Sequence, residues 1–280
     1  MNALSKGLLK NKHILLVLLF SFLSIYSLIG PGLPPTHDGE YHVLRMHEFY
    51  KVLSEGTIYP RWAPDFNNGF GIPLFNYVYP LPNYVASFFH FLGFSFIDSF
   101  KINMVVASMI GSVLFFLWSR KYWGDLGGLV SSVFYTFSPY HFLDIYVRGS
   151  VGEVWALALF PGLLWSFYAF IQTKQRKFVL VSAVFLFLLI MSHNILAVVF
   201  FSFFLMYAIV LIFNTKNKSF YLLHLVLIII FGFSLSAPFW LPAILETKYV
   251  VGLNISDPTK HFPKLYQLIY SSWGYGFSGE

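Results

Sequence analysis

Residues Phe178 to Phe213 read FVLVSAVFLFLLIMSHNILAVVFFSFFLMYAIVLIF. No Asp, Glu, Lys or Arg interrupts the run, and it is nearly twice the roughly 20 apolar residues that carry a helix across a bilayer core. One ordinary helix does not account for it. The polar break at Ser192-His193-Asn194 is where the chain is expected to turn back, giving two membrane helices joined on one side. His193 would then either close a helix end by bonding to backbone carbonyls or line a site beside the turn. A chain containing such a hairpin reads as polytopic.

Working outward, the composition supports that reading. Hydrophobic residues make up 57% of the sequence and charged residues only 11%, whereas a water-soluble domain carries about a quarter charged residues. The formal net charge of +6 raises the question of a nucleic-acid partner. The basic residues, however, are scattered between apolar runs and form no stripe or aromatic-interleaved patch, which argues against nucleic acid and makes them topology signals. With no cysteine, disulfides, thiolate nucleophiles and zinc ribbons are excluded.

Ile14 to Gly30 follows Lys6, Lys10 and Lys12 and reads as a signal anchor. A cleaved signal peptide is the alternative, but no small-x-small site precedes Pro31. Further spans are expected over Ile102–Trp118, Leu126–Phe142, Val154–Ile171, Phe178–Ser192, Ile195–Phe213 and Phe220–Leu241. The fold class is therefore an all-α polytopic membrane protein of about seven transmembrane helices, with six of them in residues 102–241. Leu81 to Phe94 is apolar too, but counting it as a span would move the basic loops to the wrong side. Its Pro80, Pro82, Asn83, Tyr84 and His90 suit an interfacial helix. Arg120 and Lys121, then Lys174, Arg176 and Lys177, then Lys216 and Lys218 fall in short connections expected to be cytoplasmic. That topology places every carboxylate except Asp125 outside. The expected localisation is the cytoplasmic membrane, with the N-terminus cytoplasmic and the working face extracytoplasmic. Residues 31–101 form the first outer loop, and residues 242–280 begin another outer segment whose abrupt end is expected of a piece of a longer protein.

The first outer loop opens on Asp38-Gly39-Glu40, two carboxylates just past the first span. Thr36-His37-Asp38-Gly39 reads as a helix start, followed by an amphipathic run from Glu40 to Ser54. On a helix, positions two apart point about 200° apart, so the two carboxylates converge only if Asp38 lies in the turn. Asp38, His42 and Arg45 share one face by spacings of three and four. The plain alternative is that Asp38 caps the helix and Glu40 favours its dipole. The second outer loop, Ser138 to Glu153, adds Asp144, Arg148 and Glu153. A guanidinium at headgroup level suits bidentate contact with phosphate.

Several segments carry a family resemblance: Asp38-Gly39-Glu40-Tyr41 opening a helix after an anchor, Ile58-Tyr59-Pro60-Arg61-Trp62, Gly69-Phe70-Gly71-Ile72-Pro73, Tyr79-Pro80-Leu81-Pro82-Asn83-Tyr84, and a long helix ending in Arg120-Lys121-Tyr122-Trp123-Gly124. The arrangement resembles the polytopic glycosyltransferases of the GT-C type, which use polyprenyl-phosphate-linked sugars. More narrowly it is similar to bacterial and archaeal membrane proteins labelled 6-pyruvoyl-tetrahydropterin synthase-related, a label that implies no pterin chemistry here. The resemblance implies Asp38 as general base or metal holder with Glu40 as its acidic partner, and Asp144 or Glu153 as a loose match to a second acidic position. A clear Asp-x-Asp pair is missing there.

Transfer of a sugar from a lipid phosphate needs a base for the acceptor hydroxyl and a cation for the departing phosphate. Asp38 answers the first need. Arg45, Arg61 and Arg148 answer the second, as would Mg²⁺ or Mn²⁺ held by Asp38, Glu40, Asp144 and Glu153. The partners expected are membrane lipid, a polyprenyl-phosphate sugar donor and an acceptor. A flippase for lipid-linked intermediates or a non-catalytic scaffold are the alternatives, though the expected spans carry no central charge of the kind transporters use. A zinc site at His37, Asp38 and His42 offers only a short, closely spaced ligand set.

Overall fold

The computed structural model describes residues 3–250, with side chains from residue 12 onward. The described residues are helical with no strand among them, and the chain is an all-helical polytopic membrane protein. The helices are α1 (Ala3–Ile25), α2 (Gly39–Ser54), α3 (Leu81–Phe91), α4 (Phe96–Thr136), α5 (Pro139–Phe142), α6 (Val151–Thr173), α7 (Lys177–Ser192), α8 (Asn194–Phe213) and α9 (Lys218–Glu246). By length and composition, five helical stretches among the described residues suffice to cross a membrane: Lys12–Ile29, Phe96–Thr136, Val151–Thr173, Asn194–Phe213 and Lys218–Tyr249. Lys177–Ser192 is apolar but shorter.

The 41 residues of α4 are two helices. Gly124, at φ 69° and ψ −176°, reverses the chain, a conformation a side chain resists. The two arms then run back along each other. Ser132 Oγ donates to the Ser112 carbonyl (2.7 Å), Ser112 and Thr136 hydroxyls meet at 2.8 Å, and Phe115 stacks on Tyr135 with ring centroids 4.2 Å apart. Small polar side chains join helices in this way where lipid supplies no hydrophobic drive for association. The expected gap between residues 118 and 126 is thus the turn of a hairpin.

The second arm ends earlier than the expected 142, at Thr136. Pro139 removes a backbone donor and disfavours a helical residue before it. The chain instead enters α5 and then a wide, π-type turn, Leu143–Arg148. The supposed outer loop Ser138–Glu153 is therefore largely helical. Residues 31–101 hold α2, a short turn at Leu74–Asn76 and α3, in line with the helices expected over Glu40–Ser54 and Leu81–Phe94. At 11 residues, α3 is too short to cross a bilayer. Phe49 meets Phe75 and Tyr84 edge-on at 5.0 and 4.8 Å. Each such pair adds about 0.5–1.5 kcal/mol beyond burial, and together they fix α2 against the segment that leads into α3.

Two larger apolar clusters complete the interior. One joins α1, α2, α3, α4 and α6 around Met46, Phe100, Met104 and Trp155, and the other joins α6 to α9 around Phe167, Phe170, Leu186 and Phe204. Asn103 is wholly buried between α3 and α6. Its amide donates to the Pro82 carbonyl and its oxygen accepts from Trp155, both at 2.6 Å. It is a satisfied structural hub. Of the expected outer segment 242–280, residues 251–280 lie outside the described residues.

Candidate functional site

The start of α2 and the end of the π-type turn are stitched together through their backbones. His37 N–H donates to the Val147 carbonyl (2.9 Å) and Asp38 N–H to the Arg148 carbonyl (2.8 Å). Gly149 makes the junction possible. It sits at φ 69°, and a Cβ there would run into the Thr36 hydroxyl and lie 3.2 Å from the Gly39 nitrogen. Thr36 Oγ1, not Asp38, accepts from Gly39 N–H at 3.2 Å. The Asp38 side chain makes no capping hydrogen bond. Its carboxylate is therefore not consumed by helix initiation.

Within the π-type turn, Asp144 and Arg148 stand one wide turn apart, and Glu153 follows in the first turn of α6. Arg148 Nη1 bonds Asp144 Oδ1 at 3.2 Å and Nη2 bonds Glu153 Oε1 at 2.5 Å. Tyr140 donates to Glu153 Oε2 at 2.6 Å. Asp144 is 0% exposed, and its Oδ2 has no hydrogen-bond partner among the described residues. Burial, and then the neighbouring Glu153 carboxylate, push Asp144 up to about 8 against the pull of Arg148. At neutral pH it is largely an uncharged acid. Burial works against the charge on Arg148, but Glu153 and Asp144 overcome it and hold the guanidinium above its ordinary range.

His193 faces this group from the α7–α8 turn. Its Nδ1 accepts from Leu196 N–H at 3.2 Å, which leaves the ring proton on Nε2, 3.8 Å from Glu153 Oε1. One ring nitrogen thus closes the start of α8 on a backbone N–H, where a carbonyl partner was expected, and the other faces the acid. Burial lowers its pKa, with Glu153 acting the other way.

Tyr79 joins the two halves. Its ring lies 5.0 Å from His193 and 6.5 Å from His42. Burial pushes its phenol up to about 12, Arg45 and Arg148 draw it down, and Glu153 and Asp38 push it further. Asp38, Arg45, Arg148 and Glu153 therefore all lie within electrostatic reach of one hydroxyl. His42 is buried and stacked on Phe100. Burial, Arg45 and His193 hold it down to about 3, so it is a neutral ring. Asp38, His42 and Arg45 share the inward face of α2.

Other expected site residues lie elsewhere. Glu40 and the His37 side chain are exposed. Arg61 pairs with Glu246 at 3.7 Å and lies 5.8 Å from the Tyr59 ring centroid, and no recorded contact joins it to the Asp38 group among the described residues. Nor do the acids assemble a metal site. Among the described residues no three His, Asp or Glu side chains converge as a ligand set, and Asp144 and Glu153 share Arg148 instead.

Compared with known proteins, residues 75–272 match the model of the family described as "6-pyruvoyl-tetrahydropterin synthase related domain; membrane protein". The chain belongs to this family. A relative from Lactococcus lactis subsp. cremoris (strain MG1363), described as "Uncharacterized protein", is 23% identical over 208 residues, which cover 72% of this chain and 34% of that protein. The chain thus spans about a third of the length of the curated relative it matches. No solved structure matches it. In this 6-pyruvoyl-tetrahydropterin synthase related membrane domain, the matched region holds Tyr79, Asp144, Arg148, Glu153 and His193, while Asp38, Glu40, His42 and Arg45 precede it.

Tyr79 stands in the sequence as one member of the segment Tyr79-Pro80-Leu81-Pro82-Asn83-Tyr84, and Tyr140 as one aromatic residue of Ser138–Glu153. Neither carries a spacing signal, because the groups that meet them come from distant segments. Val147–Arg148 and His37–Asp38 are likewise joined by backbone atoms, which side-chain patterns do not report.

Proposed function

We propose that the chain is part of a membrane glycosyltransferase that moves a sugar from a polyprenyl-phosphate donor to an acceptor hydroxyl on the extracytoplasmic face of the cytoplasmic membrane. In this reading the N-terminus is cytoplasmic, residues 14–30 anchor the chain, and residues 31–101 carry the working surface. Asp38 takes the acceptor proton as the acceptor oxygen bonds to the anomeric carbon. The glycosyl–phosphate bond breaks with its electron pair going to the phosphate, which Arg45 neutralises. The observation that supports this most is the placement of an Asp38 carboxylate left out of helix capping on the same inward face as Arg45, around Tyr79.

Arg45 serves the phosphate better than Arg148, because Arg45 forms no ion pair among the described residues while Arg148 is shared by two acids. Arg148 is a positioning residue: its backbone carbonyl holds Asp38 and its side chain holds Asp144 and Glu153. The protonated Tyr79 phenol can donate to a donor oxygen beside them. Glu40, in the first turn of α2, is the outer carboxylate partner, acting through solvent at the mouth.

The test is transfer of labelled sugar from polyprenyl-phosphate donors by the protein in membranes, at matched expression. Asp38→Asn is expected to lower transfer at least about a hundredfold, the scale of a removed general base. Glu40→Gln is expected to lower it less, and Arg45→Gln to raise the donor KM. Full transfer by Asp38→Asn sinks the assignment of the base. Absence of transfer by the wild type with every donor sinks the reaction.

A further inference from the structure

The end of the bundle opposite the Asp144–Glu153 cluster is basic without acid balance. Helix α7 finishes at that cluster, through Ser192 and His193, so Lys177 marks the far end. From Val154 to Leu245 the sequence contains no Asp or Glu, yet Lys174, Arg176, Lys177, Lys216 and Lys218 lie in the connections there. None of the five forms an ion pair among the described residues. Asp125, the carboxylate of the Gly124 turn, is held by Arg120 at 3.0 Å.

Beside Arg176 a groove of about 460 Å³ opens between α7 and α9. Its walls include Val179, Leu180, Leu223, Leu227 and Phe231, of which Leu180, Leu223 and Phe231 are exposed and so belong to the surface that meets lipid. His224 lines the groove as well and is only 9% exposed. Its Nδ1 is bonded to the Phe220 carbonyl at 2.8 Å, and its Nε2 has no hydrogen-bond partner among the described residues. The imidazole of a nearly buried histidine thus lines an otherwise apolar channel headed by a guanidinium.

Helix length places this feature at headgroup depth. At 1.5 Å per residue, the 16 residues of α7 measure about 24 Å, short of the roughly 30 Å hydrocarbon core. Helix α9 has 29 residues and extends past it. A short helix beside a longer one leaves a notch where the bilayer thins or a lipid fills in. Arg176, just before α7, and His224, in the second turn of α9, lie at the basic end of this mismatched pair.

We propose that this groove is a binding site for one anionic phospholipid, with the phosphate on Arg176, an acyl chain along Leu223, Leu227 and Phe231, and a polar headgroup or ester atom at His224 Nε2. A guanidinium grips phosphate with two parallel donors, and Arg176, which pairs with no carboxylate among the described residues, has that grip free for the lipid. The site is independent of sugar transfer, since it lies at the other end of α7.

The protein is reconstituted with an equimolar mixture of phosphatidylglycerol and phosphatidylcholine, released into mild detergent and weighed by native mass spectrometry. The wild type is expected to retain phosphatidylglycerol in preference to phosphatidylcholine. Arg176→Gln, an exposed position, is expected to lower that retention roughly tenfold, the scale of one lost charge-assisted contact. Leu227→Trp, which fills the groove, is expected to lower retention of both lipids, and Lys216→Gln to change nothing. Equal retention of the two lipids by the wild type overturns the proposal, as does unchanged phosphatidylglycerol retention in Arg176→Gln. The Arg176→Gln result stands even where Leu227→Trp fails to fold.

Discussion

The two ends of this helix bundle handle charge in opposite ways. At one end Asp144, Arg148 and Glu153 are folded into a buried network with Tyr140, His193 and Tyr79 around it. At the other, Lys174, Arg176, Lys177, Lys216 and Lys218 stand exposed without carboxylate partners among the described residues. A buried charge is costly unless paired and hydrogen-bonded, so the first end had to be built with fixed geometry. An exposed lysine costs nothing and can be left to headgroups. The first arrangement suits the proposed chemistry, which needs fixed geometry, and the second suits the proposed lipid contact, which does not.

The sharpest way to break that contrast is to disturb the packing beneath the buried network. A Cβ added at Gly152 would overlap the Tyr79 ring and lie 2.7 Å from the Ser192 carbonyl oxygen. The carbonyl is backbone and cannot swing away. Gly152→Ala is expected to cost about 2–3 kcal/mol, as overpacking does, seen as a lowered midpoint of thermal unfolding in detergent. An unchanged midpoint would show that Tyr79 and the α7–α8 turn are not held against α6 as described.

How much of this could be read beforehand follows the same divide. The apolar runs carry their own signal, and the structure turns at His193 and at Gly124, where the polar residues and the glycine stand. The face shared by Asp38, His42 and Arg45 follows from helical spacing alone. The conformation of Ser138–Glu153 was not legible, because a π-type turn has no sequence period that separates it from irregular chain. The central place of Tyr79 was not legible for another reason. It becomes central through contacts with α2, α6 and the α7–α8 turn, which local pattern cannot supply. The unspoken part of the sequence is therefore the convergence of segments, most of all the backbone pairing of residues 37–38 with 147–148.

A subtler probe is pH. Asp144 is held up to about 8 in the folded protein by burial and Glu153, against an unfolded value near 4. Between those values the folded state holds a proton that the unfolded chain releases. Stability is therefore expected to fall as pH rises from about 4 to about 8 and to level off above. Asp144→Asn, which stays neutral at every pH, removes this dependence and leaves the protein more stable than wild type at pH 9. A wild type whose unfolding midpoint is flat from pH 5 to 9, or a slope that persists in Asp144→Asn, would place the titrating group elsewhere. The measurement tests whether the network is as dry as the unpartnered Asp144 Oδ2 implies.

The smallest effect belongs to the opposite end. Arg120 and Asp125 form an ion pair across the Gly124 turn, with side chains 34% and 50% exposed. Such a pair is screened by water and salt and is worth at most about 1 kcal/mol. The Arg120 guanidinium also rests 5.1 Å from the Phe116 ring centroid, a contact that an amide loses. Arg120→Gln is nevertheless expected to shift the unfolding midpoint only slightly, and the shift should shrink further at high salt. A loss approaching that of Gly152→Ala would mean that the basic end is as tightly built as the acidic one. The turn would then owe its geometry to the ion pair, although Gly124, the Ser112–Ser132 bond and the Phe115–Tyr135 stack already account for it without help from charge.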